Sequence, residues 1–296
     1  MDNAIEMKGI TKKYRDFTLG EITTAIPCGF STALIGANGA GKTTLIDLLC
    51  GVTGRSGGTV TYFGKYTDID EPQLRNMIGY CSSANFFPLD WTLRTIARSM
   101  ELAFDNFNKD KYTALCRRLE LGDPWTGRQK PLLRMSDGNR MRAALAAVFA
   151  RDTKLLVLDE PSSSLDPLAR DMLCELFREY LTEGNGERSI LFSTHNISDM
   201  EFVVDHAIFM AHGQICDQGS VEDLKEKYVI VHGDERSDSR AYELLHSYIK
   251  TGGNFEGLAL AENAKLLSSL DTAVEKPTLN QLSIGILRKA EKNGKK

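Results

Sequence analysis

Three features of the sequence predict an α/β fold. Short apolar runs at 31–35, 154–158 and 189–192 are typical of strands that are buried on both faces of a sheet. The segment KTTLIDLLCGV, which follows the first run, spaces its apolar residues with a helical period. The chain has 296 residues, of which 42% are hydrophobic, so we expect one large domain with an appendage and a core of ordinary size.

A glycine-rich loop joins the first predicted strand to the first predicted helix. The stretch GANGAGKTT, residues 36–44, matches the pattern G-x-x-x-x-G-K-[ST]. In this pattern, backbone N–H groups cradle phosphate oxygens and the lysine reaches the terminal phosphates. Because the order of strand, loop and helix is the required one, the sequence predicts a phosphate-binding site here.

The middle of the chain predicts both strands and helices. Alternating apolar residues between glycines indicate a strand within 57–64, and residues from about 91 to 121 are amphipathic and helical. Ser136 and Asp137 are favourable capping residues for a following helix. Residues 196–205 are predicted to form a helix, and 206–219 a hairpin whose turn contains Gly213.

The character of the sequence changes at residue 220. Ser220 and Asp223 form a plausible capping box for a helix, and the strand YVIVHG follows. A charged loop, DERSDSR, precedes a further helix, strand and helix, and we expect the last seven residues to be frayed. The sequence therefore predicts a small α+β extension over 220–296, after a larger domain over 1–219.

Composition narrows the classes of function. The net charge is −4 and the pI is about 5.8, which gives no electrostatic footprint for nucleic acid, so we expect no nucleic-acid partner. No apolar run reaches 18 residues, and the N-terminus lacks the pattern of a signal peptide. The six cysteines form no C-x-x-C pair, and we expect buried thiols in a reducing, cytoplasmic compartment.

Polar residues at the ends of the later strands complete the chemistry of a nucleotide site. Asp159 and Glu160 follow a buried strand, where the first would hold Mg²⁺ through water and the second could polarise an attacking water. His195 ends another strand and is a candidate donor to a γ-phosphate. The helix beginning near Ser136 presents a second N-terminus that favours anions, which a second molecule could use.

Taken together, these stretches resemble the ATP-binding subunit of an ABC transporter over about residues 5 to 220. GANGAGKTT resembles Walker A, MSDGNR the signature, LLVLDE Walker B, SSSLD the D-loop and STH the switch histidine. The resemblance implies a P-loop NTPase with a RecA-like core, an inserted helical subdomain at about 85–150 and an antiparallel β subdomain. It also implies head-to-tail dimers, as homodimer or heterodimer, that sandwich two ATP molecules.

The resemblance also implies roles for individual residues. The phosphates would be held by the loop residues, with Lys42 on the β- and γ-phosphates, Thr43 on Mg²⁺ and Thr44 on the α-phosphate. Asp159 would support Mg²⁺, Glu160 would be the general base, and His195 would sense the γ-phosphate. Tyr14 stands where the family stacks a ring on adenine, although Phe17 competes for that role and strand-end packing is the plain alternative. The remaining implied contacts are Gly36, Asn38, Gly39, Ala40 and Gly41 in the loop, Ser136, Asp137, Gly138 and Asn139 acting in trans, and Asp166 in the D-loop.

Two positions depart from the family pattern. Ser83 stands where the family has a glutamine that reaches Mg²⁺ and reports to the membrane domain, so a serine would need a bridging water. Asp137 stands where a glycine is common in the signature, and a carboxylate there would repel a facing γ-phosphate if it pointed inward. If it did so, ATP would hold the dimer together less tightly than usual.

The region after residue 220 resembles the C-terminal extension of exporter-type ATPases, with EKPTLNQLSI as its characteristic ending. AFDNFNKDKY is loosely similar to a stretch of bacterial ATPases that export antibiotics and peptides such as the phenol-soluble modulins. The resemblance implies export of a peptide or antibiotic through a separate integral membrane subunit, with this chain peripheral at the inner face of the cell membrane. Two alternatives are a soluble ABC ATPase in assembly, translation or DNA maintenance, and a module that holds ATP without turnover.

Overall fold

The protein is described by a computed structural model that covers residues 2–67, 69–82, 86–234, 237 and 239–294. The chain divides into two compact units. The first unit consists of Met1–Ala33 and Thr43–Thr194, and the second of Leu34–Lys42 and His195–Lys296. The predicted domain boundary at 219/220 stays a prediction.

The first unit contains most of the predicted α/β core. Its strands are β1 (Asn3–Lys13), β2 (Thr18–Pro27), β3 (Ser31–Ile35), β4 (Gly57–Tyr62), β5 (Ile78–Cys81), β6 (Leu155–Leu158) and β7 (Ser189–Thr194), the end of β3 belonging to the second unit. Its helices are α1 (Lys42–Leu49), α2 (Pro72–Met77), α3 (Leu93–Ala103), α4 (Lys109–Arg118), α5 (Asp137–Phe149) and α6 (Pro167–Glu183), Lys42 belonging to the second unit.

Two sheets organise this unit. Strands β2, β1 and β4 form an antiparallel sheet in that order. Strands β5, β6 and β7 are parallel, with Leu155 of β6 opposite Ile78 on one side and Ser189 on the other. Every residue of β6 and β7 is buried, as predicted for strands covered on both faces. Because the three strands are parallel, the residues that follow them lie along one edge of the sheet.

The helical character predicted for about residues 91–121 is confirmed. The segment consists of two helices, α3 and α4, because the chain leaves α3 in an extended conformation at Phe104. Asn108 then starts α4 by accepting a hydrogen bond from the backbone N–H of Lys111. The predicted cap of α5 is confirmed, since the Ser136 side chain accepts from the N–H of Asn139.

The second unit begins with the phosphate loop and continues after β7. Its strands are β8 (His206–Ala211), β9 (Gln214–Ser220), β10 (Tyr228–Asp234), β11 (Leu245–Thr251), β12 (Asn254–Leu260) and β13 (Ala273–Glu275). Its helices are α7 (Val221–Lys227), α8 (Ala241–Leu244), α9 (Ala264–Ser268) and α10 (Leu279–Gly294).

The predicted hairpin at 206–219 is confirmed by the antiparallel pair β8 and β9. Its turn residues His212 and Gly213 both have positive φ, of 50° and 74°, as a tight hairpin turn requires. The predicted helix at 196–205 is wrong, because only the short 3-10 turn Glu201–Val203 forms there. Asn196 instead accepts bonds from the N–H and the hydroxyl of Ser198, a local turn that competes with a helix start.

The extension contains more strands than the sequence predicted. Strands β11, β12, β10 and β13 form a four-stranded antiparallel sheet in that order. The predicted charged loop falls partly on residues 235, 236 and 238, which lie outside the described residues. The N-cap of the predicted capping box of α7 is confirmed, since Ser220 Oγ accepts from the N–H of Asp223. The Asp223 carboxylate accepts from the Ser220 hydroxyl, whereas a full capping box would use the Ser220 backbone N–H.

A second capping box starts the last helix. Thr278 Oγ1 accepts from the N–H of Gln281, whose side chain accepts from the N–H of Thr278 in return. The PTLNQ part of the characteristic ending therefore fixes the start of α10. Because α10 extends to Gly294, the prediction of a frayed end is wrong for residues 290–294. Cys216 is exposed, and Cys28 and Cys50 are half-buried, which corrects the expectation that all six cysteines are buried.

Among the described residues, no helix is both long and apolar enough to cross a bilayer.

Candidate nucleotide-binding site

The phosphate loop lies in the second unit, between β3 and α1. Ala37, Asn38 and Gly39 are exposed, whereas the Lys42 side chain is buried. Lys42 Nζ donates to the carbonyl oxygens of Gly36 at 2.8 Å and Ala37 at 3.2 Å. These two carbonyl oxygens hold the Lys42 ammonium beneath the loop. A bound phosphate would have to compete with them for this ammonium. The loop thus keeps a compact shape around its own lysine.

The hairpin turn of the same unit supports this loop. The N–H of Gly213 donates to the carbonyl of Ala40 at 3.0 Å. At Gly36, a Cβ would lie 2.4 Å from the carbonyl oxygen of Met210, so only glycine fits against β8. Both ends of the loop therefore contact the hairpin formed by β8 and β9.

In the first unit, two hydroxyl groups fix the carboxylate of Asp159. Thr43 Oγ1 donates to Asp159 Oδ2 at 2.8 Å, and Ser193 Oγ donates to Asp159 Oδ1. Only 1% of Asp159 is exposed, so the carboxylate is held in place at the end of β6. Thr43 and Asp159 were both predicted site residues, and the structure brings them together. Ser193 was not predicted, although a hydroxyl at the end of the adjacent parallel strand is the signal that could have indicated it.

Glu160 follows in a conformation that few non-glycine residues adopt. Its φ is +50°, and its N–H donates to Ser193 Oγ at 2.8 Å. The same serine therefore orients both acids, one through its side chain and one through its backbone. The positive φ of Glu160 is a strained backbone conformation of the kind that occurs at functional sites.

The buried charge of Asp159 affects the groups around it. Burial raises the pKa of the Cys81 thiol to about 12, and the negative charge of Asp159 contributes to this shift. Burial also raises the pKa of Asp47 on α1, to which the charge of Asp159 again contributes, whereas a hydrogen bond from Tyr80 opposes it. The local field thus favours a cation near Asp159.

The signature residues lie in the same unit, at the start of α5. Ser136 and Asp137 are exposed. Asp137 contacts Arg140 one turn along at 3.3 Å, which gives its carboxylate a partner on its own helix. A Cβ at Gly138 would lie 2.8 Å from the carbonyl oxygen of Ser164, so the signature packs directly on the backbone of the D-loop segment.

Asp166 has a structural role that the sequence did not indicate. Its side chain accepts from the N–H of Ala169 and so caps α6. It also accepts from Arg142 of α5 at 2.6 Å. The bond from the Ala169 N–H and the charge of Arg142 lower the pKa of Asp166. Arg142 thus joins the signature helix to the D-loop.

Tyr14, Ser83 and His195 are the remaining predicted site residues. Tyr14 is 47% exposed, lies 6.5 Å from the ring of Phe17 between centroids and has Lys12 Nζ above its ring. An exposed ring is available for stacking, but its role stays a prediction. Ser83 lies outside the described residues. His195 is exposed and is the first residue of the second unit after β7.

Comparison with known proteins gives one consistent family. Residues 19–163 match the model of the ABC transporter family. The nickel import ATP-binding protein of Rhodobacter capsulatus is 30% identical over 76% of this chain and 92% of its own length. The Nod factor export ATP-binding protein of Rhizobium leguminosarum is 28% identical over 76% of this chain and 72% of its own. An uncharacterised ABC transporter ATP-binding protein of Synechocystis is 30% identical over 75% of this chain, but the match spans only 64% of that protein.

Solved structures agree with these relatives. An ATP-binding subunit of an ABC transporter superposes with a TM-score of 0.65 and 25% identity, over 75% of this chain and 92% of that one. The likeness confirms the predicted fold of a P-loop NTPase with a RecA-like core and an antiparallel β subdomain. With the buried Asp159, the glycine loop and these relatives considered together, the chain belongs to the ABC transporter family as an ATP-binding subunit.

Proposed function

We propose that this chain hydrolyses ATP and couples the reaction to transport through a separate membrane-spanning subunit. The observation that carries the proposal is the Asp159 carboxylate, which the hydroxyls of Thr43 and Ser193 hold on either side. Asp159 so held can bind Mg²⁺, and a module that only binds Mg-ATP has no need for the second acid that directly follows it, Glu160.

The residues present suit Mg²⁺. Thr43 and Asp159 supply two adjacent oxygen ligands of the kind that this ion prefers, and the remaining positions would go to water and phosphate oxygens. When bound, the ion would neutralise charge that develops on the phosphates during cleavage.

Each residue then has one task in hydrolysis. Backbone N–H groups of residues 38–41 bind the phosphates, and Lys42 leaves the carbonyls of the loop for the β- and γ-phosphates. Glu160 accepts a proton from the water that attacks the γ-phosphate. Ser193 holds the Glu160 backbone so that the carboxylate starts from a fixed position. His195 donates to the γ-phosphate.

The signature suits a second cassette. Ser136 and Asp137 are exposed at the N-terminus of α5, which favours an anion. Asp137 is drawn toward Arg140, which reduces the repulsion that its carboxylate would exert on a facing phosphate. The signature would therefore meet the ATP held by the second cassette of a homodimer or heterodimer.

An apolar groove in the first unit suits a helix of the membrane partner. A cavity of 310 Å³ is lined there by aromatic and apolar side chains that include Tyr80, Phe86, Phe87 and Phe104. Aromatic residues beside an open groove are typical of helix-docking surfaces. Ile78 and Tyr80 of β5 line one side of the groove. The partner would bind here and place this chain at the inner face of the cell membrane.

The direction and the substrate rest on resemblance. Relatives of almost equal similarity are named for nickel import and for Nod factor export, so overall likeness does not decide the direction. The ending EKPTLNQLSI resembles that of the C-terminal extension of exporter-type ATPases. We therefore favour export of a peptide or antibiotic.

A pull-down from solubilised native membranes tests this function. Tagged Glu160→Gln with Mg-ATP should capture a polytopic membrane protein, because loss of the base traps the ATP-bound state. Phe86→Glu in the same background should lose that protein, since it places a charge in the groove. Leu102→Glu is the matched control, because Leu102 is 89% exposed and outside the groove. Capture of only soluble assembly, ribosomal or repair proteins would contradict the proposal.

A further inference from the structure

A second cavity lies entirely within the second unit, away from the motifs. It has a volume of 460 Å³ and is bounded by the hairpin of β8 and β9, by the start of β10, by β11 and by α10. This volume is in the range of small-molecule sites. None of the side chains that line it has a role in the proposed ATPase reaction.

One positive charge in the cavity has no acidic partner among the described residues. Lys289 Nζ donates to His246 Nε2 at 2.9 Å, so the imidazole accepts as a neutral ring. Burial, followed by the charges of Lys289 and Lys227, lowers the pKa of His246, which keeps the ring neutral. The Lys289 ammonium therefore retains N–H groups that can donate to a further acceptor.

The other charges near the cavity are already paired. Asp217 accepts from Lys227 at 2.8 Å and from the hydroxyl of Tyr228 at 2.7 Å. Glu291 lies 3.4 Å from His212. Asp217 and Glu291 each have a partner of their own, and neither is paired with Lys289. An anion that enters the cavity would therefore not have to displace an acidic side chain from Lys289.

Part of the remaining wall is apolar, and the rest is formed by the polar side chains of His212, Gln214 and Cys216. Ile286 of α10 and the Tyr228 ring are buried, and Ile215 and Ala290 are half-buried. Tyr228 also packs edge-on against His246, with 5.5 Å between ring centroids. A partly apolar wall with one cation that no acid pairs is suited to a carboxylate that carries a short hydrocarbon body.

The cavity is also connected to the phosphate loop. Ala211 and His212 line it, and the next residue, Gly213, donates to the carbonyl of Ala40 in the loop. Met210, directly before Ala211, contacts Gly36 through its carbonyl. A ligand that moves the hairpin turn would therefore change the backbone that receives the phosphates.

We propose that this cavity is a regulatory site for a small amphipathic carboxylate, with Lys289 as the anion-binding residue and the hairpin turn as the link to the phosphate loop. The free energy of coupling between two such sites acts in both directions. A carboxylate bound here changes the affinity for ATP, and ATP changes the affinity for the carboxylate by the same factor.

Binding of octanoate to the purified full chain tests the site. Isothermal titration and ligand-observed NMR should give saturable binding with a Kd on the order of 1 mM, as expected for a ligand of this size. Octanamide, which is the neutral analogue, and the Lys289→Met variant should each weaken binding about tenfold. Lys292→Met is the matched control, because Lys292 is on the same helix but contacts Tyr248 instead.

A second variant separates the cavity from the charge. Ala290→Leu keeps Lys289 but fills part of the cavity, so it should weaken octanoate binding at least as much as Lys289→Met does, while leaving the helix intact. Absence of saturable binding to the unmodified chain, or equal binding to Lys289→Met, would overturn the site.

Coupling is measured with a fluorescent ATP analogue, with and without saturating octanoate. We expect a shift in nucleotide affinity of about fivefold or more, which Lys289→Met removes. An unchanged affinity would overturn the link to the loop. None of these readouts requires hydrolysis or the membrane partner, so they can fail or succeed independently of the proposed transport function.

Discussion

The pair of acids Asp159 and Glu160 in the first unit and the cavity of the second unit differ in how the chain assembles them. At Asp159, the polar groups follow the ends of adjacent parallel strands, and Ser193 joins Asp159 to Glu160. The cavity takes Lys289 from α10 and His246 from β11, on separate elements of the extension. In the first arrangement, the functional side chains lie at a sheet edge and directly follow strands, so a sequence motif can identify them. The second depends on tertiary packing and leaves no motif.

The largest expected effect is at Glu160. Replacing it by glutamine keeps the shape and the backbone bond to Ser193 but removes the proton acceptor. We expect the rate of ATP hydrolysis to fall about 10²- to 10⁴-fold, with ATP binding retained and the dimer more stable. Phosphate release and analytical ultracentrifugation with Mg-ATP measure both results.

Lys289→Met is the control from the other region and should keep the basal rate. Near-normal hydrolysis by Glu160→Gln would show that another group is the base. A comparable loss in Lys289→Met would remove the distinction between the two regions.

The next effect concerns the packing of the signature. Gly138→Ala would place a Cβ 2.8 Å from the carbonyl of Ser164, which must move. Overpacking costs about 1–3 kcal/mol, whereas alanine gains at most about 1 kcal/mol in helix propensity. We therefore expect the free energy of unfolding of the first unit to fall by about 1 kcal/mol. Urea unfolding followed by the two tryptophans reports this change.

Gly54→Ala is the matched control, because a Cβ at Gly54 meets nothing within 4 Å and its φ is not positive. If both variants had the same stability, the contact between signature and D-loop would not contribute to the first unit.

The two regions also show how much of each site could be predicted from the sequence alone. Thr43, Asp159 and Glu160 were predicted because each lies in a motif whose chemistry is local. Ser193 and Arg142 were missed because their partners are far along the chain, and only the strand order and the packing of α5 bring them close. The helix predicted at 196–205 failed because Asn196 forms a side-chain turn with Ser198 that outweighs the apolar spacing.

A smaller effect on stability is expected from a substitution at the start of the C-terminal extension. Ser220→Ala removes the cap of α7, whose hydroxyl accepts from the N–H of Asp223 at 3.0 Å. Loss of such a cap costs about 1 kcal/mol in the helix concerned. Amide exchange of α7 and the first residues of β10 should accelerate, whereas exchange in β6 and β7 should not change.

Ser220→Thr keeps a capping hydroxyl and should restore most of the protection. Equal acceleration in the first unit would mean that the extension does not unfold as a separate region.

The smallest effect is a dependence of stability on pH that comes from His246. Burial, with help from Lys289 of α10 and Lys227 of α7, lowers its pKa below 6.5, whereas Asp217 of β9 acts in the opposite direction and Tyr228 of β10 packs on the ring. The unfolded chain therefore binds the proton first as the pH falls. The contribution of His246 to stability is complete above about pH 6.5 and decreases as the pH drops toward the folded pKa.

Amide exchange in β11 and α10 at about pH 7.5 and about pH 5.5, corrected for the intrinsic exchange rate, measures this loss. His246→Gln keeps an acceptor for Lys289 but cannot titrate, so it should remove the extra opening at low pH. His232→Gln, on β10 and outside the cavity, should retain it. If octanoate binds beside Lys289, its charge should also raise the pKa of His246, which a shift in the NMR titration of that ring would reveal. If the titration of His246 were unchanged with octanoate bound, the carboxylate would lie away from Lys289 and His246. The cavity would then have no charged group with a function, in contrast to the nucleotide site.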